Sequence, residues 1–107
     1  MAEERMAGGS KLLLSYNIIP KSQQAYLHFM MKDFIPALAS IGLKNIGVWH
    51  TAYGNYPIRL LIFVSENSTV MDRALGSDIW ADMEGKLEEF VTDYTRRVVP
   101  FDSRFQF

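Results

Sequence analysis

Residues 36–64, PALASIGLKNIGVWHTAYGNYPIRLLIFV, decide how this chain folds. The segment opens on the end of a helix. Gly42 follows the last residue of a helical stripe and suits the C′ position, and Leu43 is placed to make the apolar contact of a Schellman close. Residues 45–52 read as a strand. Tyr53-Gly54-Asn55-Tyr56 reads as a hairpin turn, because Gly and Asn tolerate positive φ. Residues 58–64 form the returning strand. If Gly54-Asn55 is a two-residue loop, His50 lies opposite Arg59 and Trp49 opposite Leu60. The returning strand is apolar on both parities, so whichever face the helices cover, the other still needs a partner.

Upstream, residues 11–19 (KLLLSYNII) have strand composition. Leu12, Leu14, Tyr16 and Ile18 share one face, and Leu13, Ser15, Asn17 and Ile19 share the other. Pro20 ends this strand and suits the first turn of a helix. From Ser22 the period changes to a helical stripe of Leu27, Met30, Met31, Phe34, Leu38 and Ile41. Pro36 removes one hydrogen bond from that helix and is expected to bend it near Lys32. Downstream, Asn67 or Ser68 caps a short helix over residues 69–75, closed by Gly76. Ser77 caps a longer one, expected to run to residue 98 with Ile79, Met83, Leu87, Phe90, Val91 and Tyr94 on its buried face. Pro100 is expected to stop it, and the alternation of residues 101–107 predicts a last strand.

The order is β-α-β-β-α-β, an α+β ferredoxin-like fold with a four-stranded antiparallel sheet and a second helix in two pieces. Residues 1–10 (MAEERMAGGS) read as a flexible lead-in, and residues 11–107 as a single domain. The uncovered face of such a sheet would expose a large apolar patch, which soluble monomers rarely do. Face-to-face packing of two sheets as a homodimer is the expected remedy.

Composition narrows the function classes. The net charge of −1 argues against nucleic-acid and anionic-membrane binding, both of which favour basic patches. There is no cysteine, which excludes disulfides, thiol catalysis and thiolate metal sites and fits a reducing cytoplasm. No apolar run approaches the roughly 20 residues a membrane helix needs, and residues 1–10 lack the apolar core of a signal peptide. No phosphate loop, GxSxG, HExxH or EF-hand pattern occurs.

Phe34-Ile35-Pro36-Ala37-Leu38, then Gly42-Leu43, Gly47-Val48-Trp49 and Gly54, together with Arg73, Asp78-Ile79-Trp80, Leu87, Val91 and Pro100, resemble the NIPSNAP-like branch of the dimeric α/β-barrel superfamily. The resemblance spans residues 12–100. It implies a dimeric α/β barrel, and in several relatives a ligand cavity between sheet and helices. Relatives include cofactorless quinone-forming monooxygenases, haem-degrading monooxygenases, muconolactone isomerases and dye-decolourising haem proteins, so the fold does not choose an activity. The haem-degrading relatives share an asparagine on an early strand, a tryptophan on a strand and an axial histidine on the later helix. Asn17 and Trp49 match the first two, but residues 77–98 hold no histidine, so no haem and no other cofactor is expected.

His50 and Arg59 are the sharpest chemical pair. They read either as a general base with an oxygen-holding cation or as a cross-strand polar pair at the rim of the sheet. Trp49 and Trp80 are packing anchors or cavity walls. Tyr16, Tyr26, Tyr53 and Tyr94 offer hydroxyls, of which Tyr94 on the buried helix face is favoured. The candidate pocket is thus Asn17, Trp49, His50, Arg59, Trp80 and Tyr94, with His50 the best catalytic candidate. His28 and His50 lie on different elements without ligand spacing, so no metal site is expected. Glu84, Glu88 and Glu89 read as a solvated helix face. Two functions fit: a small cofactorless monooxygenase or isomerase acting on a hydrophobic, aromatic or polyketide-like molecule, or a non-catalytic ligand-binding or protein-interaction dimer.

Overall fold

The computed structural model describes residues 9–53 and 56–101, with the backbone alone at positions 50–53 and 56–57. The elements are β1 (Gly9–Ile18), a 3-10 turn (Pro20–Ser22), α1 (Gln23–Phe29), a π turn (Met30–Phe34), α2 (Ile35–Ser40), β2 (Lys44–Tyr53), β3 (Tyr56–Ser65), α3 (Ser68–Leu75), α4 (Asp78–Glu88) and β4 (Val91–Phe101). The antiparallel sheet runs β2-β3-β1-β4. This is the ferredoxin-like arrangement, with the second helix in two pieces. β1 begins at Gly9, two residues inside the expected lead-in.

The hairpin keeps the register that a two-residue loop dictates. Tyr53 pairs with Tyr56, His50 with Arg59 and Trp49 with Leu60. Gly54 and Asn55 themselves lie outside the described residues. Past Gly47 the register slips by one at a bulge that leaves Ile46 unpaired.

The first helix is interrupted, not merely bent. Pro36 sits in the first turn of α2, directly after the π turn Met30–Phe34. A proline there offers no N–H to the carbonyl of residue 32, and the widened turn accommodates the lost bond. Its extra residue also rotates the phase of the apolar stripe. Tyr26, Phe29, Met30, Phe34 and Leu38 face the core, while Leu27 is 42% and Met31 75% exposed, against the expected stripe.

Gly42 closes α2 as expected, with φ at 93°. The Leu43 N–H reaches the Leu38 carbonyl at 2.9 Å, the Gly42 N–H reaches Ala39 at 3.2 Å, and Leu38 and Leu43 are both fully buried. α3 and α4 are capped by side chains. Asn67 Oδ1 accepts from the Val70 N–H at 2.9 Å and Ser77 Oγ from the Trp80 N–H at 3.1 Å.

The long final helix does not form. α4 stops at Glu88, closed by short-range bonds from Glu89 and Phe90 to the carbonyls of Lys86 and Leu87. The Ile19 N–H then takes the Phe90 carbonyl at 2.9 Å, tying the chain to the end of β1, and residues 91–101 pair with β1 as a strand. Val91, Thr92, Tyr94, Thr95, Val98 and Val99 are β-branched or aromatic, and pairing with β1 outweighs their helical spacing. Pro100 lies within this edge strand instead of stopping a helix, a position where its missing N–H does least harm. The last strand was expected over residues 101–107. Phe101 is the last described residue of β4, and residues 102–107 of that expected strand lie outside the described residues.

One face of the sheet is closed. Leu12, Leu14, Tyr16, Leu61 and Phe63 pack on Tyr26, Phe34, Leu38, Met71, Trp80 and Leu87, all at most 2% exposed. Among the described residues no helix lies over the opposite face, which carries Leu13, Leu60, Ile62, Val64 and Val99, and Trp49 at its β2 edge is 59% exposed.

The helix stop is testable. A Cβ on Gly42 would stand 2.7 Å from Val70 Cγ1, at a φ that L-residues avoid. Gly42→Ala should cost roughly 1–3 kcal/mol in urea unfolding, and adding Val70→Ala should recover part of that loss. An unchanged unfolding midpoint for Gly42→Ala would contradict the strain.

Candidate functional site

Strand parity sorts the sequence-predicted residues between the two faces. Arg59 pairs with Tyr16 on β1 and with His50 on β2. Its guanidinium carbon lies 5.5 Å from the centroid of the Tyr26 ring on α1, so this row faces the helices. His50 occupies the matching backbone position; its side chain lies outside the described residues. Trp49 pairs with Leu60 and Leu60's row continues through Ser15, on the open face. Asn17 also lies on the open-face parity of β1, where its amide donates to Asp93 at 2.8 Å. The six expected pocket residues therefore do not converge. Arg59, Trp80, Tyr94 and the backbone position of His50 belong to the helix side, and Asn17 and Trp49 to the other.

On the helix side, polar groups gather toward the hairpin end of the sheet. The Tyr16 and Tyr26 hydroxyls are 2.6 Å apart, fully enclosed, with their rings edge-on at 5.8 Å. Tyr94 leans against Tyr16 at 6.5 Å between centroids. Its hydroxyl donates to Glu84 on α4 at 2.7 Å. Glu84 also holds Arg96 at 3.5 Å, and Arg96 lies 5.7 Å from the Trp80 ring centroid. The Trp80 indole nitrogen is enclosed without an acceptor among the described residues. Tyr94 thus reaches the helix layer from a strand, not from the helix on which it was expected. Arg96 and Arg97, read as the end of a helix, point to opposite faces.

Electrostatics keep the tyrosines neutral. Burial pushes the Tyr16 phenol far above its usual range, reinforced by the neighbouring Tyr26 oxygen. Tyr94 is pushed up by burial and then by its bond to Glu84. Tyr26 is also raised by burial, though the Tyr16 bond and the Arg59 charge pull the other way. At neutral pH these hydroxyls donate and polarise; they do not abstract protons. Arg59 supplies positive charge beside them. The Tyr94 proton is already given to Glu84, so Arg59 and the one proton of the Tyr16–Tyr26 pair not used between them are the groups that can steady a carbonyl, phenolic or carboxylate oxygen. Among the described residues no three His, Asp or Glu side chains form a set that could hold a metal ion. No helix among them is long and apolar enough to cross a membrane.

Two members of this cluster were underrated by sequence reasoning. Tyr26 lies one position off the expected apolar stripe, and only the π turn brings it inward. Glu84 shares its neighbourhood with Glu88 and Glu89, which are exposed. The signal for Glu84 is its position one turn beyond Trp80 on the same helix face.

No protein-family model and no curated protein sequence matches the chain. Solved structures do. A conserved protein from Methanosarcina mazei superposes with a TM-score of 0.70 at 12% identity, over 92% of this chain and 97% of its own. A NIPSNAP family protein from Agrobacterium tumefaciens gives a TM-score of 0.60 at 16% identity, over 85% and 90%. A protein of unknown function from Bacteroides thetaiotaomicron, described as a possible oxidoreductase, gives 0.67 at 9%, over 89% and 99%. The fold is therefore NIPSNAP-like, a ferredoxin-like α+β domain shared nearly end to end with these proteins.

The neutral tyrosine pair makes a pH prediction. A phenol whose pKa is higher folded than unfolded leaves stability unaffected below its unfolded value, about 10, and costs stability as pH rises beyond it. Denaturant stability should be level from pH 7 to about 9 and fall above pH 10, less steeply in Tyr16→Phe. An equal alkaline slope in Tyr16→Phe and the parent would contradict the buried neutral hydroxyl.

Proposed function

We propose that this chain works as a homodimer acting on a hydrophobic small molecule held between sheet and helices, as a cofactorless monooxygenase or isomerase of the cytoplasm. The observation that supports this most is the enclosed Tyr16–Tyr26 hydroxyl pair beside Arg59. A ligand of aromatic or polyketide type would place a hydroxyl or carbonyl oxygen at Arg59 and lay its rings against the aromatic lining. As that oxygen gains negative charge, Arg59 and the neutral hydroxyls stabilise it. His50, opposite Arg59 in the hairpin register, is the candidate base. The description of one structural neighbour as a possible oxidoreductase points the same way.

A second reading, a ligand-binding dimer without catalysis, draws support from the tyrosines themselves. Their raised pKa values suit them to hold a ligand oxygen and not to take its proton.

Titration calorimetry with 1-naphthol, a planar phenol, tests both. Saturable binding is expected, weakened about tenfold by Arg59→Met through loss of a charged hydrogen bond. Binding that is absent, or untouched by Arg59→Met, contradicts the site. Oxygen uptake or isomerisation lost in His50→Ala favours the enzyme; binding without turnover in the parent chain favours the second reading.

A further inference from the structure

The open face of the sheet is electrostatically lopsided along its strands. Lys11, Lys44 and Arg97 share one end, on the rows that join Lys44, Val64, Lys11 and Val99, and Leu13 with Arg97. None of the three forms an ion pair among the described residues. The opposite end carries a carboxylate, Asp93. It sits in a bulge of β4 with φ at 57°, a left-handed conformation that Asp tolerates better than most residues. Its Oδ2 takes the Asn17 amide at 2.8 Å and the Thr92 hydroxyl at 3.4 Å. Asp93 itself is exposed, so its carboxylate is open to a cation from outside the chain.

We propose that a second copy of this chain covers the open face in one particular orientation, with Arg97 of each copy set against the Asp93–Asn17 corner of the other. This rests on the homodimer reading above and goes beyond it by fixing the symmetry. A two-fold axis parallel to the strands would stack the Lys11, Lys44 and Arg97 ends on each other, which like charges oppose. An axis across the strands, near the row of Ser15 and Thr95, reverses one sheet on the other and brings cation to carboxylate. Arg97 is the better partner because the Lys11 ammonium already lies 5.3 Å from the Phe101 ring centroid. A planar guanidinium can also meet the exposed Asp93 carboxylate with two parallel donors. The contact is isologous, made twice, as a closed dimer requires. The apolar rows of Leu13, Leu60, Ile62 and Val64 then lie between two such corners.

The chain has no cysteine, so engineered thiols report without background. Asp93→Cys and Arg97→Cys chains, separately tagged and co-expressed, should cross-link to each other on mild oxidation. Neither should cross-link to itself. Thr92→Cys with Arg97→Cys, which keeps the Asp93 bulge, is a second arm. Within one chain residues 93 and 97 stand about 13 Å apart along the strand, beyond the roughly 7 Å limit for a disulfide. A mixed cross-link in either arm supports the orientation. A dimer that cross-links in neither arm, or that cross-links through Arg97→Cys alone, overturns it while leaving the homodimer reading intact. A chain that stays monomeric overturns both.

Discussion

The structure turns on one constraint: the two central strands are apolar on both faces, and the helices can cover only one. β1 alternates Leu12, Leu14 and Tyr16 against Leu13, Ser15 and Asn17, and β3 sets Leu61 and Phe63 against Leu60, Ile62 and Val64. The first set of each strand is sealed by α1, α2, α3 and α4. The second set lies on a face that no helix among the described residues covers. Burial of that second set is worth about 25 cal/mol for each Å² removed from water, a driving force for packing that face against another surface. Fold and assembly are in this sense one problem.

The same alternation decides what chemistry is possible. Because side chains flip faces at every residue of a strand, Trp49 and His50 cannot serve one pocket, and neither can Asn17 and Tyr16. The helix side receives Arg59, Tyr16, Tyr94 and the backbone position of His50, and α1 and α4 add Tyr26 and Glu84 from above. Burial holds these phenols protonated, which suits them to donate hydrogen bonds and not to take protons. The open side receives Trp49, Asn17, Asp93 and Arg97, residues whose polar groups suit contact with another surface more than with a small molecule.

Much of this was legible in the sequence where a local rule had no competitor. The hairpin register follows from a two-residue Gly-Asn loop, and the Gly42 stop from the need for positive φ. The caps at Asn67 and Ser77 sit where a side-chain oxygen can reach an orphan N–H. The readings that failed had two rules in competition. Phe90, Val91 and Tyr94 satisfy a helical spacing as well as a strand parity, and the decision came from β1, a partner far away in sequence. Pro36 announced a defect, but whether the helix would kink or widen depended on packing. The widened turn moved Tyr26 inward and Leu27 and Met31 outward. Glu84 looked like its solvated neighbours because Tyr94 was assigned to the wrong element.

The central claim is that the open face is an interface between two copies. Sedimentation equilibrium at tens of micromolar measures it most directly. The account predicts a mass twice the 12.3 kDa of one chain, reverting toward the single-chain value when Trp49 and Ile62 are both replaced by aspartate. A single-chain mass for the parent protein at that concentration would contradict it.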